Sequence, residues 1–261
     1  MRLIIGLALI SGAAHAGVAY ELNQRSLTLQ PSASHVAHYS IQDDKVRVAE
    51  ASDAALVLIF KDQTIYILNN TLRSVVAQKY ATLTQIAAKY ADTVRQFEDA
   101  VATAPPDKRA MLEQSARQMK EDAGRRSQPV PRDYRITDRS ESVDGHGCRI
   151  WEEHEMGAKR LELCVASLTT VPGGAEILRG MKSLSQYWNG STIALGVTYG
   201  AGPWWSGMEA LGGVPILIRE FKDDEPIRET TLTAIHVEVL NASVFDLPDG
   251  YSVQEQPLGA P

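Results

Sequence analysis

The stretch from Gly145 to Ala166, GHGCRIWEEHEMGAKRLELCVA, decides how the chain is interpreted. It contains both cysteines of the 261-residue chain, Cys148 and Cys164, and two of its six histidines. The cysteines admit three interpretations: a structural disulfide, a redox-active pair, or part of a metal site. The choice among them bears directly on whether the protein is an enzyme.

Local geometry favours the disulfide, because the stretch has the pattern of a β-hairpin. Its centre, Glu155-Met156-Gly157, predicts a three-residue loop in which the glycine adopts a positive φ without steric cost. That register places Cys148 directly opposite Cys164, Glu152 opposite Arg160, Glu153 opposite Lys159, and Trp151 opposite Leu161. Opposite charges and apolar side chains then face each other across the two strands, as cross-strand pairs prefer. The sequence therefore predicts a disulfide, Cys148–Cys164.

The two alternatives fit the spacing less well. Redox-active cysteines usually lie two residues apart near the start of a helix, whereas these lie far apart on strands. A structural zinc ion takes four ligands, and only His146 and His154 are close in sequence. EEHEM lacks the HExxH spacing of a metalloprotease, and His35 and His38 fall on opposite faces of a predicted strand. We therefore expect no metal and no cofactor.

The N-terminal stretch MRLIIGLALISGAAHAGVAY has the pattern of a cleavable signal peptide. Arg2 supplies a positive charge, Leu3–Ile10 is a short apolar run, and Ala14 and Ala16 are the small residues of a typical cleavage site. The alternatives are a membrane anchor or a buried first helix, but a spanning helix needs about 20 apolar residues. We predict that residues 1–16 are removed and that the protein is exported to the periplasm, an oxidising compartment in which disulfides form.

Composition limits the class of protein and its partners. Apolar residues make up 44% and charged residues 22% of the chain, as in ordinary globular proteins, and the formal net charge is −6. An acidic chain is a poor nucleic-acid binder, and no apolar run is long enough to span a membrane. We expect a single domain over residues 17–256 and a loose tail at 257–261.

Hydrophobic periodicity predicts an antiparallel meander followed by two helices. Strands are expected over 18–29, 35–41, 45–49, 55–60 and 64–68. The period then changes to three or four residues from Leu72 to Val101, with Asn70 or Thr71 able to cap the helix. A second helix follows and ends near Gly124. This αα-hairpin, inserted at about 70–124, either covers the core or serves as a lid or partner-binding face.

The second half of the chain is predicted to return to strands around a third helix. A strand at 133–138 leads into the cysteine hairpin, and a final hairpin is expected over 214–221 and 227–240. Between them, a helix is marked at helical spacing by Ile177, Met181, Leu184 and Trp188.

The glycine-rich stretch from Gly196 to Gly213, GVTYGAGPWWSGMEALGG, is the least typical part of the chain. Its spacing matches neither GxGxxG nor GxxxxGK[ST], so a nucleotide-binding loop is excluded. Either its tryptophans pin a loop to the core, or the stretch is a mobile flap at the mouth of an apolar cavity. In the second case the candidate ligand-contacting residues are Trp188, Tyr199, Trp204 and Trp205.

A series of short motifs, taken in order, resembles a known family. The motifs are Asp44–Val48 (DKVRV), Pro106–Gln114 (PDKRAMLEQ), Gly147-Cys148-Arg149 with Cys164-Val165-Ala166, Gly213–Ile216 (GVPI) and Phe245–Tyr251 (FDLPDGY). The chain is similar to an uncharacterised periplasmic family, a domain of unknown function, within the lipoprotein-carrier-like (Lol-type) half-barrel superfamily. The resemblance implies an α+β fold in which a curved antiparallel half-barrel sheet wraps around helices and carries an inserted αα-hairpin.

Two functions are consistent with the pattern and the resemblance. The first is a periplasmic binding or carrier protein for an apolar small molecule or acyl chain, because the concavity of lipoprotein carriers takes acyl chains. The second is a cell-envelope structural or interaction protein that docks a partner protein through the helical hairpin. We expect no enzymatic activity, because the sequence contains no GxSxG serine, no free cysteine and no distinctive carboxylate pair.

Overall fold

The computed structural model describes residues 16–28, 34–50, 56–127, 132–195 and 204–255. Its strands are β1 (Gly17–Ser26), β2 (Ser34–Gln42), β3 (Lys45–Glu50), β4 (Leu56–Lys61), β5 (Thr64–Asn69), β6 (Ser74–Lys79), β7 (Arg132–Val143), β8 (His146–Glu155), β9 (Ala158–Ala166), β10 (Val214–Lys222), β11 (Glu225–Glu238) and β12 (Ser252–Glu255). Its α-helices are α1 (Tyr80–Thr103), α2 (Pro106–Ser127), α3 (Gly174–Leu195) and α4 (Met208–Leu211), and two short 3₁₀ helices lie at Trp204–Gly207 and Ala242–Phe245.

The strands form one open sheet that is curved like half a barrel. Its strand order is β12-β6-β5-β4-β3-β2-β1-β11-β10-β9-β8-β7. Neighbouring strands are antiparallel except β12, which lies parallel to β6 and was not expected from the sequence. The predicted α+β class, with a curved antiparallel sheet, helices and an αα-hairpin, is confirmed. The predicted signal peptide up to residue 15 and the tail at 257–261 lie outside the described residues.

The β8–β9 hairpin confirms the disulfide and corrects the predicted register. Cys148 and Cys164 are bonded, with their Cα atoms 5.3 Å apart. The turn has two residues, Met156 and Gly157, both with positive φ, instead of the predicted three-residue loop. In the observed register Cys148 lies opposite Ala166, Ile150 opposite Cys164, Trp151 opposite Leu163, Glu152 opposite Glu162, Glu153 opposite Leu161, and His154 opposite Lys159. The predicted pairs Cys148–Cys164, Glu152–Arg160, Glu153–Lys159 and Trp151–Leu161 are therefore wrong, because the shorter turn and a register shift after Glu153 displace the strands.

The helical hairpin begins later than the periodicity predicts. Ser74–Lys79 is a strand paired with β5, so the predicted cap at Asn70 or Thr71 is wrong and α1 starts at Tyr80. The sheet decides this segment because alternate strand residues are buried against it, whereas helical spacing would expose half of them. At the other end α2 continues through Gly124 to Ser127, so Gly124 does not end the helix.

The main core lies between α3 and the adjacent face of the sheet. Ile177, Met181, Leu184 and Tyr187 of α3 are at most 2% exposed. The hydroxyl of Tyr20 on β1 lies 3.7 Å from the sulfur of Met181, and the ring of Phe60 on β4 meets that of Tyr187 at 5.5 Å between centroids. The apolar stripe predicted for the third helix therefore fills the centre of this face of the sheet.

The helical hairpin forms an arm that is anchored mainly at its base. Leu83, one turn into α1, is 2% exposed and belongs to the main core, whereas most described residues farther along both helices are exposed. Between the two helices, the Lys120 ammonium lies 2.9 Å from the Glu98 carboxylate. One of the two interpretations of this hairpin was that it covers the core. Along most of its length, the arm does not do so.

Candidate functional site

Two of the four predicted ligand-contacting residues meet beside α3. The rings of Trp188, on α3, and Trp205, in the 3₁₀ helix, lie edge to face with centroids 5.6 Å apart. Both side chains are half-buried, and Trp205 packs against the main core. Tyr199 lies outside the described residues, as does the side chain of Trp204. For Trp205, the structure therefore favours the core-anchor interpretation while leaving part of the ring accessible.

The end of α3 that carries Trp188 is held by aromatic neighbours. The Tyr187 hydroxyl donates a hydrogen bond to the Gln78 carbonyl of β6 at 2.8 Å. The ring of Tyr80, the first residue of α1, lies 5.9 Å from that of Tyr187. A Cβ at Gly190 would lie 2.5 Å from the Tyr80 hydroxyl, so α1 and α3 approach closely only because residue 190 is glycine. The start of the arm and the tryptophan pair therefore share one helix junction.

Residues 204–211, here called the cover segment, connect two apolar clusters. Met208 is 0% exposed and belongs to the main core, while Leu211 is 5% exposed and packs with Leu161 and Leu163 of β9. The segment is also tied to α3, because the Gln186 side-chain amide donates to the Glu209 carboxylate at 2.9 Å. The cover segment thus joins the tryptophan pair to the β8–β9–β10 part of the sheet.

A buried carboxylate lies beneath the cover segment. Glu153 on β8 is 0% exposed, and the Tyr134 hydroxyl on β7 donates a hydrogen bond to its Oε2 at 2.7 Å. Gly207 of the cover segment lies directly over that hydroxyl, since a Cβ at this position would clash with it. The Oε1 atom of Glu153 has no hydrogen-bond partner within the described part of the chain, and the Arg132 Nε atom is 3.9 Å away.

Burial raises the pKa of the Glu153 carboxyl above its ordinary value, although the hydrogen bond from Tyr134 and the charge of Arg132 act in the opposite direction. Glu155 adds like-charge repulsion, and Arg160 adds attraction. Burial also raises the pKa of the Tyr134 phenol, and the negative charge of Glu153 raises it further. The fold therefore disfavours the ionised form of Glu153 and keeps Tyr134 protonated as a donor.

A second charged cluster is fully paired. The Arg219 guanidinium on β10 donates to the Glu141, Glu162 and Glu229 carboxylates at 2.8 to 3.1 Å. Although burial opposes ionisation of Glu162, hydrogen bonds from Arg139 and Arg219 hold the pKa of its carboxyl below the ordinary value. Arg139 also bridges Glu152 and Glu162, which the true register places opposite each other. Because its charges are satisfied internally, we interpret this network as structural.

The described residues contain no group of three or more His, Cys, Asp or Glu side chains arranged to hold a metal ion. Across the same ranges, none of the helices has both the length and the apolar character needed to cross a membrane.

Sequence reasoning missed Glu153 because the glutamates of the hairpin were interpreted as salt-bridge partners. Alternation along β8 puts Glu153 on the same face as Trp151, which packs with the apolar residues of β9. That parity was a usable signal for a carboxylate on an apolar face. The cover segment, which lies some fifty residues later in the chain, lies over the Tyr134 hydroxyl that bonds to Glu153.

Comparison with known proteins gives no family assignment from sequence. No family model matches the chain, and no curated protein matches it. One solved structure with a similar backbone trace is that of an uncharacterized conserved protein from Thermus thermophilus. The two sequences are 6% identical, the TM-score is 0.46, and the alignment covers 93% of this chain and 91% of that one.

Two further similar structures belong to named groups. A putative outer membrane lipoprotein-sorting protein domain from Vibrio parahaemolyticus is 8% identical, with a TM-score of 0.31 and coverage of 90% of this chain and 91% of that one. A DUF1329 family protein from Desulfovibrio piger is 7% identical, with a TM-score of 0.32 and coverage of 89% and 90%. At these TM-scores the likeness carries no inference about function.

Proposed function

We propose that the protein is an exported, periplasmic, non-enzymatic binding or carrier protein for an apolar ligand, with an acyl chain as the ligand class to test first. The observation that carries the proposal is the half-buried Trp188–Trp205 pair at the junction of α3 and the cover segment. Tryptophan offers a large apolar surface, and a pair that remains partly accessible can gain more burial when an apolar molecule lies against it.

The packing of α3 restricts where such a ligand can lie. Because Ile177, Met181 and Leu184 already fill the centre of the sheet face, a ligand cannot occupy that centre without displacing the helix. The accessible apolar surface at the Trp188 end of α3 is the alternative. A chain that covered about 100 Å² of apolar surface there would gain roughly 2.5 kcal/mol at ~25 cal/mol/Å².

The test is a native mass spectrum of the protein purified from its own periplasm without detergent. Adducts with acyl-chain masses are expected on the wild type and are expected to fall by roughly fifty- to a hundredfold in Trp188→Ala/Trp205→Ala, following the area estimate above. Tyr66→Ala is the matched control, because Tyr66 is a half-buried aromatic residue in a separate cluster. A wild-type spectrum free of adducts, or equal adduct loss in the control, would argue against the site.

The same spectrum tests export. Strand β1 begins at Gly17, where a Cβ would lie 2.8 Å from the backbone carbonyl oxygen of Ile41, so a larger residue there would require the backbone to shift. We expect an intact mass that starts at Gly17. A mass that retains residues 1–16 would contradict cleavage after Ala16.

A second function, docking of an envelope protein through the arm, is favoured by the exposure of α1 and α2. Two long helices attached mainly by their base present more surface than core cover requires. A variant that lacks residues 90–117 keeps the buried Leu83 and the helix junction, so it is a suitable test. A carrier keeps its adducts without the distal arm, whereas an arm-docking protein loses its partner in a periplasmic pulldown.

A further inference from the structure

We propose that Tyr134, Glu153 and Gly207 form a proton-operated latch that holds the cover segment closed when Glu153 is protonated and loosens it when Glu153 ionises. The inference rests on the proposed function only for its consequence, which is that the accessibility of the Trp188–Trp205 pair would follow the state of the latch. The latch itself is a property of residues 204–211 and their contact with Tyr134 on β7.

Geometry is the first argument for the latch. Glu153 is 0% exposed, its Oε2 accepts a hydrogen bond from Tyr134, and Gly207 lies on the Tyr134 hydroxyl. Lifting the cover segment would therefore admit water to the hydroxyl and, through it, to the carboxylate. Water stabilises an ionised carboxylate far better than a buried site in which only one of the two carboxylate oxygens accepts a hydrogen bond from the described residues.

The surrounding charges do not remove this preference. In the described part of the chain, the titratable or charged groups facing Glu153 are Arg132 and Tyr134 of β7, Glu155 of β8 and Arg160 of β9. Arg132 forms an ion pair with Glu153, but its Nε lies 3.9 Å from Oε1, which is longer than a hydrogen bond, and Glu155 opposes the attraction of the arginines. Glu209 of the cover segment bonds to Gln186 on α3, away from the cluster.

The direction of the effect follows from linkage. The closed state raises the pKa of the Glu153 carboxyl through burial, so closure binds a proton that the open state releases. The contribution of Glu153 to closure is therefore fully present in acid, below the pKa of the hydrated carboxyl, and is lost as pH rises through the pKa of the closed state. One proton can change the closed-to-open ratio by at most tenfold per pH unit.

The test is hydrogen exchange of residues 204–211 without ligand, measured by mass spectrometry at about pH 5 and about pH 8 and corrected for intrinsic exchange rates. In the wild type we expect protection to fall between the two values, by at most tenfold for each pH unit. Glu153→Gln keeps the shape without the charge, so its protection is expected to stay high at both values. Glu209→Gln is the matched control, because it removes a neighbouring charge but is expected to keep the pH dependence.

The proposal is overturned if wild-type protection does not change with pH, if it rises with pH, or if the change persists in Glu153→Gln. Should Glu153→Gln not fold, Tyr134→Phe provides the second variant. It removes the Tyr134 hydrogen bond to the ionised carboxylate, so greater opening at about pH 8 is expected, and unchanged protection would contradict the latch. The adduct measurement separates the two proposals, because adducts with pH-independent exchange refute the latch alone, while pH-dependent exchange without adducts refutes the ligand.

Discussion

Reduction of the Cys148–Cys164 bond gives a stability change that can be worked out from the structure. The disulfide closes a loop with a sequence separation of 16. In the chain-entropy model a loop of this length lowers the free energy of the folded state relative to the unfolded state by about 3 kcal/mol. The sulfurs are in a core position, since Cys148 is 5% and Cys164 is 1% exposed. Reduction leaves this packing in place, and a Cys148 thiol would have the Glu141 carbonyl 3.6 Å from its sulfur as an acceptor.

The assay is urea unfolding of three samples: the oxidised wild type, the reduced wild type kept under reductant, and Cys148→Ala/Cys164→Ala. The free energy of unfolding is expected to fall by about 3 kcal/mol on reduction, with a larger m-value because the unfolded chain expands. The alanine variant is expected to lose more, because it also removes two buried sulfurs. A loss below about 1 kcal/mol on reduction would refute the reasoning, since the reduced, unfolded hairpin would then already keep its ends together.

Two further predictions concern helix packing and alkaline pH. Gly180→Ala should cost about 1–3 kcal/mol in urea unfolding, because a Cβ there would clash with Ile41 across the α3–sheet contact, whereas Gly147→Ala, which meets no atom within 4 Å, should change stability by less than about 0.5 kcal/mol. Burial raises the pKa of both Tyr39 and Tyr187 from 10.0 to about 12. The folded state therefore favours the protonated phenols, and their stabilisation, present below pH 10, is lost as pH rises towards 12. The urea midpoint should fall over this range, and Tyr187→Phe should reduce the fall; an equally steep fall in the variant would contradict the assignment.

The disulfide could be predicted although its register could not. The sequence pattern suggested positive φ only at Gly157, whereas Met156 also adopts it, with a φ of 49°. The turn is then one residue shorter, and the shift after Glu153 adds a second displacement. Each displacement by one residue moves a side chain to the opposite face of the hairpin, so two displacements return it to the original face. Cys148 and Cys164 therefore remain on the same face and close enough to bond.

The missed strand β6 and the missed carboxylate have a common cause. Leu72, Val76 and Tyr80 match helical spacing by coincidence, and only pairing with β5 and β12 makes Ser74–Lys79 a strand. Glu153 likewise has local charged neighbours that suggest a surface salt bridge, but it is buried between Tyr134 on β7 and Leu161 on β9. In both cases tertiary contacts override a local pattern. A single sequence interpreted segment by segment does not contain information about those contacts.

The elements on the helical side of the sheet differ in how firmly they are anchored, and this orders their expected motions. α3 contributes several fully buried side chains, the cover segment contributes Met208 and Leu211, and the described length of α1 contributes one buried side chain, Leu83. Local opening draws on elements with the fewest buried apolar contacts, so the arm should open first, the cover segment second and α3 last. The cover segment, which carries Trp205, is therefore expected to move before α3, which carries Trp188. A ligand that required α3 to leave would have to break the main core of the protein.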